Sequence, residues 1–160
     1  MYAIWTANTY TVEYYQGNNS TTAGSTKIST MANTTHTYGV ASNLRAYAGT
    51  APSGWTFAGW STTESGTTRT YANNASVTTA ATGGTLKLYA VYSRNLTMAY
   101  NGNGNTGGST ASHTSPQYYN TNGGITSVTF TTKTNGFTKT GHTFSKWAND
   151  STSGAQVAAG

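Results

Sequence analysis

One stretch of this chain repeats another, and the repeat limits the fold more than any other feature. Gly54-Trp55-Thr56-Phe57-Ala58-Gly59-Trp60 recurs as Gly141-His142-Thr143-Phe144-Ser145-Lys146-Trp147, an offset of 87 residues. Leu88-Tyr89-Ala90-Val91-Tyr92 matches Met1-Tyr2-Ala3-Ile4-Trp5, again at 87. Tyr10-Thr11-Val12-Glu13-Tyr14 matches Leu96-Thr97-Met98-Ala99-Tyr100 at 86. Each motif is short, but three with one common period point to tandem copies of a small unit.

The order within a period follows. It opens with the Tyr10 segment, crosses an Asn/Thr/Ser-rich stretch, reaches the Gly-x-Thr-Phe-x-x-Trp motif and closes with Leu-Tyr-Ala-x-aromatic. Residues 9–94 are therefore expected to form a complete repeat domain. Residues 1–8 are the closing strand of a preceding repeat, and 95–160 a second repeat truncated before its closing strand. The chain is thus expected to be a window on an array, with Ser93-Arg94-Asn95 as a brief linker between units.

The local patterns point to a mainly β fold. Tyr10, Val12 and Tyr14 alternate with Thr11 and Glu13, and Leu86, Leu88, Ala90 and Tyr92 alternate with Lys87, Tyr89 and Val91. Ile125–Thr131 is β-branched and aromatic, and reads as a further strand. Phe57 and Trp60 differ in parity, so they share a strand face only across a bulge, for which Ala58-Gly59 is suited. Turns are marked by Gly17-Asn18, Asn73-Asn74, Gly83-Gly84, Asn101-Gly102, Asn122-Gly123 and Asn135-Gly136. Ser42–Ala48 offers at most one or two helical turns.

Composition narrows the chemistry. Only 7% of residues are charged, against roughly 25% in an ordinary soluble domain, while 12% are aromatic, enough to build cores. The net charge of +5 comes from eight scattered bases against three acids, not from the basic patch that marks nucleic-acid binding. With no cysteine, disulfide frameworks and thiolate metal sites are excluded. No apolar run approaches the roughly 18 residues of a membrane helix, and Met1–Trp5 lacks the plan of a signal peptide. No nucleic-acid partner, membrane insertion or cofactor is expected.

The acids Glu13, Glu64 and Asp150 and the histidines His36, His113 and His142 are widely spaced. They make neither a clear acid/base pair nor a convergent metal set, and no nucleophile elbow or phosphate loop is present. The chain therefore reads as non-enzymatic. Lys87 and Glu13, on strands that can neighbour each other, are weighed as participants in an intramolecular Lys–Asn isopeptide bond. Their outward alternation speaks against it.

At the Gly-x-Thr-Phe-x-Gly-Trp and Leu-Tyr-Ala-x-aromatic motifs the chain resembles the Listeria–Bacteroides repeat family, the internalin B-type B-repeats. The resemblance takes in Tyr38-Gly39, Asn43-Leu44, Trp55–Trp60, Tyr71-Ala72, Ala75-Ser76-Val77 and Leu88–Tyr92. It covers the first period and most of the second. His142 departs from the usual aromatic residue, and the inserts Gly17–Thr35 and Asn103–Gly124 are atypical. The resemblance implies tandem small β-grasp-like domains in a bacterial cell-surface or secreted protein, extracellular, acting as spacers, stalks or adhesive modules. Neighbouring repeats of the same protein are the implied partners. The family brings no catalytic residues.

Three sets of residues follow as candidates. Phe57, Trp60, Tyr89, Phe144 and Trp147, within the repeated motifs, are expected to build the repeat core. Trp55, Tyr47, Tyr15, Tyr118 and Tyr119, outside or at the edge of those motifs, are candidate contacts for a host or cell-wall glycan in an alternative reading as a carbohydrate-binding module. Met1, Tyr2, Ala3, Ile4 and Trp5 form a spare closing strand, expected to pair within the chain or to add to another molecule. Head-to-tail addition propagates, which makes a self-assembling extracellular fibre subunit the third reading.

Overall fold

The structure is a computed structural model that describes residues 1–17, 25–119, 129–149 and 156–158. Its described residues contain strands and no helix. In chain order the strands are β1 (Thr9–Tyr15), β2 (Thr34–Thr37), β3 (Ser42–Asn43), β4 (Thr56–Ser61), β5 (Ser76–Val77), β6 (Gly84–Met98), β7 (Gly107–Gly108), β8 (His113–Tyr119), β9 (Phe137–Thr138), β10 (Trp147–Ala148) and β11 (Gln156–Val157). The chain divides into two compact units. The first is Met1–Arg94 with Gln117–Thr126, and the second is Asn95–Pro116 with Ser127–Gly160.

The first unit is built on a sheet in the order β2-β1-β6-β4. β1 pairs with β2 antiparallel and with β6 in parallel, Tyr14 standing opposite Leu88. β4 pairs antiparallel with β6, Trp60 opposite Ala90, and the register slips between Phe57 and Gly59. That slip is the bulge their spacing calls for. It turns Phe57 toward the core cluster that holds Trp60. Gly59 sits there at φ 153°, and a Cβ on it would lie 2.5 Å from the carbonyl oxygen of Tyr71.

β6 is central, and its Leu88–Tyr92 segment is buried throughout. A strand flanked on both sides and covered on both faces reads as a continuous apolar run. Leu88, Ala90 and Tyr92 join Tyr10, Val12, Tyr14, Ile28, Met31, Leu44, Trp60 and Val77 in one core. β1 instead keeps a two-faced pattern, with Tyr10, Val12 and Tyr14 buried and Glu13 and Tyr15 half-buried.

Three local expectations change. Ser42–Ala48 is not helical: Ser42 and Asn43 pair with Val77 and Ser76, and the Leu44 N–H bonds the Ala75 carbonyl. The Ser93–Asn95 stretch is not a loop but lies inside β6, where the β4 ladder reaches it through Thr56 opposite Ser93. Of the strand expected over Ile125–Thr131, residues 129–131 lie in no strand, and the rest fall outside the described residues.

In the second unit, β7 pairs with β9 and β10 with β11, both antiparallel. The end of β6 lies in this unit, where Thr97 Oγ1 comes within 3.0 Å of Thr114 Oγ1 on β8, the strand that also pairs with β6.

Candidate functional site

The first unit places four aromatic rings in contact. Trp60, fully buried on β4, meets Phe57 at 4.8 Å and 63°, Tyr14 of β1 at 5.2 Å and 56°, and Tyr47 at 5.9 Å. Tyr47 stacks on Phe57 at 4.1 Å. The Tyr14 hydroxyl accepts the backbone N–H of Arg45 at 2.9 Å. The motif begins with a turn in which the Trp55 N–H donates to the Pro52 carbonyl at 3.0 Å, with Gly54 at φ 77°. Trp60 also bridges to Tyr71 in antiparallel fashion.

The second unit holds a comparable cluster around Trp147. Trp147 meets Phe144 at 4.9 Å and 61°, Tyr100 at 4.7 Å and 52°, and Phe137 at 6.1 Å. The Tyr100 hydroxyl accepts the Lys133 backbone N–H at 2.8 Å. His142 N–H donates to the Lys139 carbonyl at 3.0 Å, with Gly141 at φ 72°. Trp147 pairs antiparallel with Val157, as Trp60 does with Tyr71. Each residue named lies 86 to 88 positions beyond its counterpart, apart from Phe137, which stands in for Tyr47.

Burial separates the two sets. Tyr14 and Trp60 are inaccessible, whereas Tyr100 and Trp147 are half-buried and Phe144 is 39% exposed. In the first unit the covering segment is Leu88–Tyr92, and residues 95–160 contain no second copy of it. Its relative, Met1–Trp5, lies in no strand, with Met1, Tyr2, Ile4 and Trp5 each at least 88% exposed. Tyr89, named with the core residues, is buried on the opposite side of β6 from Leu88 and meets Tyr15 at 5.4 Å.

The candidate glycan contacts occupy unlike places. Trp55 is half-buried against the core, with the Arg94 guanidinium 4.5 Å from its ring centre. Tyr47 is half-buried in the aromatic cluster, its hydroxyl 3.1 Å from that of Tyr92. Tyr15 donates to Glu13 Oε2 at 2.7 Å and has the ammonium groups of Lys27 and Lys87 within 5.8 and 5.7 Å of its ring. Burial, and then the Glu13 carboxylate, push its hydroxyl up to about 12. Tyr118 is 42% exposed and lines an open depression of about 380 Å³ with Thr67, Thr68 and Arg69. The Tyr119 side chain lies outside the described residues.

The ionisable groups are held in structural contacts. Glu13 Oε1 takes Lys27 Nζ at 2.5 Å and Asn33 Nδ2 at 3.3 Å. The Lys27 bond, then that of Tyr15, hold its carboxyl below the usual range. Lys87 stands opposite Glu13 in the β1–β6 register, yet its ammonium faces the Tyr15 ring. Glu64 accepts the Ser25 backbone N–H at 2.6 Å, and Asp150 lies outside the described residues. His36 is buried against Tyr10 with Nε2 3.0 Å from Thr34 Oγ1, and desolvation lowers its pKa. His113 packs on Phe130, and His142 Nδ1 donates to the Thr140 carbonyl. Among the described residues no three His, Cys, Asp or Glu converge to hold a metal, and no helix is long and apolar enough to cross a membrane.

Reasoning from sequence missed Arg45 and Lys133, which act through backbone N–H groups and leave no side-chain signal. It also missed Arg94, whose seat on Trp55 depends on the β4–β6 register. Comparison with known proteins gives no match to any protein-family model, curated protein or solved structure.

Proposed function

We propose that this chain carries two copies of one small β-grasp-like unit and serves as a non-enzymatic structural or adhesive repeat, a spacer or stalk, of a bacterial cell-surface or secreted protein. One observation supports the duplication above all: the Tyr–Phe–Trp cluster, the backbone bond to the tyrosine hydroxyl and the turn before the motif recur with matched geometry at an offset of 86 to 88 residues. Unrelated sequences have no reason to agree on ring distances, a hydrogen bond and a positive-φ glycine together. The parallel pairing of the opening strand with the closing strand fits a β-grasp-like unit. The Listeria–Bacteroides resemblance connects such units to bacterial surfaces, and the chemistry agrees with it, since the aromatics of the recurring motifs serve packing and Glu13 and Glu64 serve contacts.

A spacer under tension unfolds unit by unit. Pulling the chain by its ends should give two separate ruptures, the first unit lengthening the chain by about 300 Å at roughly 3.3–3.6 Å per residue. A single rupture spanning both halves overturns the duplication. Protease shaving of intact cells that make the protein tests its location: release of its peptides supports the surface assignment, and their protection removes it.

A second reading, glycan binding, draws on Tyr118, which among the described candidate aromatics is the exposed one, beside hydroxyl and guanidinium groups. A glycan array with Tyr118→Ala as control tests it. No binding, or binding unchanged by the substitution, discards this site.

A further inference from the structure

We propose that Lys27 and Asn33 of the first unit are the two ends of a self-forming isopeptide cross-link, with Glu13 moving the proton between them. The inference goes beyond the repeat reading and does not depend on it. The opening segment of the second copy has Ala99 where the first has Glu13, so the repeat does not carry the site into the second unit.

Three observations carry it. First, one oxygen touches both nitrogens that the reaction needs. Lys27 Nζ donates to Glu13 Oε1 at 2.5 Å, and Asn33 Nδ2 donates to the same oxygen at 3.3 Å. Held below the usual carboxyl range, Glu13 is ionised and only accepts, so the Asn33 amide turns its NH2 group, the leaving group, toward it. Second, Glu13 is fixed. Its Oε2 accepts the Tyr15 hydroxyl at 2.7 Å, and its side chain is only 16% exposed. Third, the backbone sets both reactants beside it. Lys27 bridges antiparallel to Tyr15, with the Gln16 N–H on the Thr26 carbonyl at 2.9 Å and the Ile28 N–H on the Tyr14 carbonyl at 3.0 Å. Asn33 directly precedes β2, whose Thr34 stands opposite Val12. Between the two, the Met31 N–H closes a turn on the Ile28 carbonyl at 3.0 Å.

The bond made joins Lys27 Nζ to Asn33 Cγ, and the bond broken is Cγ–Nδ2. Glu13 Oε1 takes a proton from the Lys27 ammonium, and the freed amine attacks Cγ. Oε1 returns the proton to Nδ2, the tetrahedral carbon expels it as ammonia, and the extra proton on the new amide nitrogen passes to that ammonia. One ammonium and one primary amide go in; one secondary amide and one ammonium ion come out, with no oxidant or co-reactant. A single group placed on both the attacking and the leaving nitrogen serves as base and then as acid. Holding both reactants on one frame replaces an encounter by a rearrangement within the chain. Lys27 is half in solvent, so the step is slow and happens once per chain, and dilution of the ammonia carries it to completion. Once made, the bond closes the Lys27–Asn33 turn covalently.

The test uses the 160-residue chain, freshly purified and after long incubation in alkaline buffer, which frees amines of their proton. The incubated chain should be lighter by the mass of one ammonia. Trypsin, which cuts after lysines with a free side chain, should no longer cut at Lys27. Residues 1–45 should then come off as one peptide, with fragment ions that join Lys27 to Asn33. Lys27→Arg and Asn33→Ala should keep their full mass. Glu13→Gln, whose amide moves no proton, should slow the loss by about a hundredfold or more, with its near-ultraviolet dichroism showing that it is folded. An incubated parent that keeps its full mass and is cut at Lys27 overturns the proposal. So does an ammonia lost only elsewhere, as in succinimide formation at an Asn-Gly pair, and so does a Glu13→Gln chain that links as fast as the parent.

Discussion

Replacing Trp60 with alanine tests the packing of the first unit and its independence from the second. The indole is 0% exposed and touches Phe57, Tyr14 and Tyr47 at ring distances of 4.8 to 5.9 Å. Emptying such a site costs about 3–5 kcal/mol, because transfer and cavity contributions add. A unit of this size holds about 4–13 kcal/mol in total, from roughly 0.05–0.15 kcal/mol per residue. The loss therefore takes away a large part of its stability. At about 4–8 °C per kcal/mol, its melting temperature falls by about 12–40 °C. Trp147 is half-buried and donates to the Lys133 carbonyl at 2.9 Å, so Trp147→Ala costs less, about 1.5–2.5 kcal/mol. Calorimetry on both variants, with near-ultraviolet dichroism to follow the rings, reads the two transitions. Trp60→Ala should lower the first unit's transition and leave the second in place. A shift under about 4 °C, or an equal shift of both transitions, refutes the reasoning.

Further outcomes follow from individual residues. Gly54→Ala and Gly141→Ala should each cost about 1–2 kcal/mol, since both positions hold φ near +75° with open space around them. Urea titrations giving unlike losses would count against equivalent turns. Gly59→Ala should cost more than either, because its Cβ meets the Tyr71 backbone oxygen and the chain must move. His36 is buried and its pKa lies below the ordinary 6.5, so the unfolded chain takes up its proton first. That contribution is full above pH 6.5 and is lost as the pH falls toward and through the folded value. Melting temperature should therefore fall as the pH is lowered through that window, and His36→Gln should flatten the dependence. Glu13, held below the ordinary 4.5 by Lys27 and Tyr15, adds a separate loss beginning below pH 4.5. Glu13→Gln should remove it at a cost of no more than about 1 kcal/mol at neutral pH, the Lys27 ammonium being half in solvent.

How far the sequence could be read depends on where the information lies. The alternation of Tyr10, Val12 and Tyr14 is local and carries over directly into the buried face of β1. The parity conflict of Phe57 and Trp60 requires a bulge, and the register slips at that place. Strand partners are another matter. Glu13 and Lys87 could be placed on neighbouring strands, but nothing local says that β1 and β6 run parallel across 74 residues. The Ser42–Ala48 stretch lacks a decisive period, and its pairing with Val77 and Ser76 overrides weak helix preference. Trp55 and Tyr47 carry no mark distinguishing a platform from a packed ring. Trp55 lies under Arg94 only because the β4–β6 register sets Thr56 opposite Ser93, and Tyr47 stacks on Phe57 only once the bulge has turned that ring.

The duplication is tested most directly by nuclear Overhauser contacts from the two indoles at positions 60 and 147. Matched environments predict cross-peaks from Trp60 to Tyr14 and Phe57, and from Trp147 to Tyr100 and Phe144, with slowed exchange of the Arg45 and Lys133 amides bound to the tyrosine hydroxyls. A Trp147 ring that contacts neither Tyr100 nor Phe144, beside a Trp60 that keeps its partners, would contradict it.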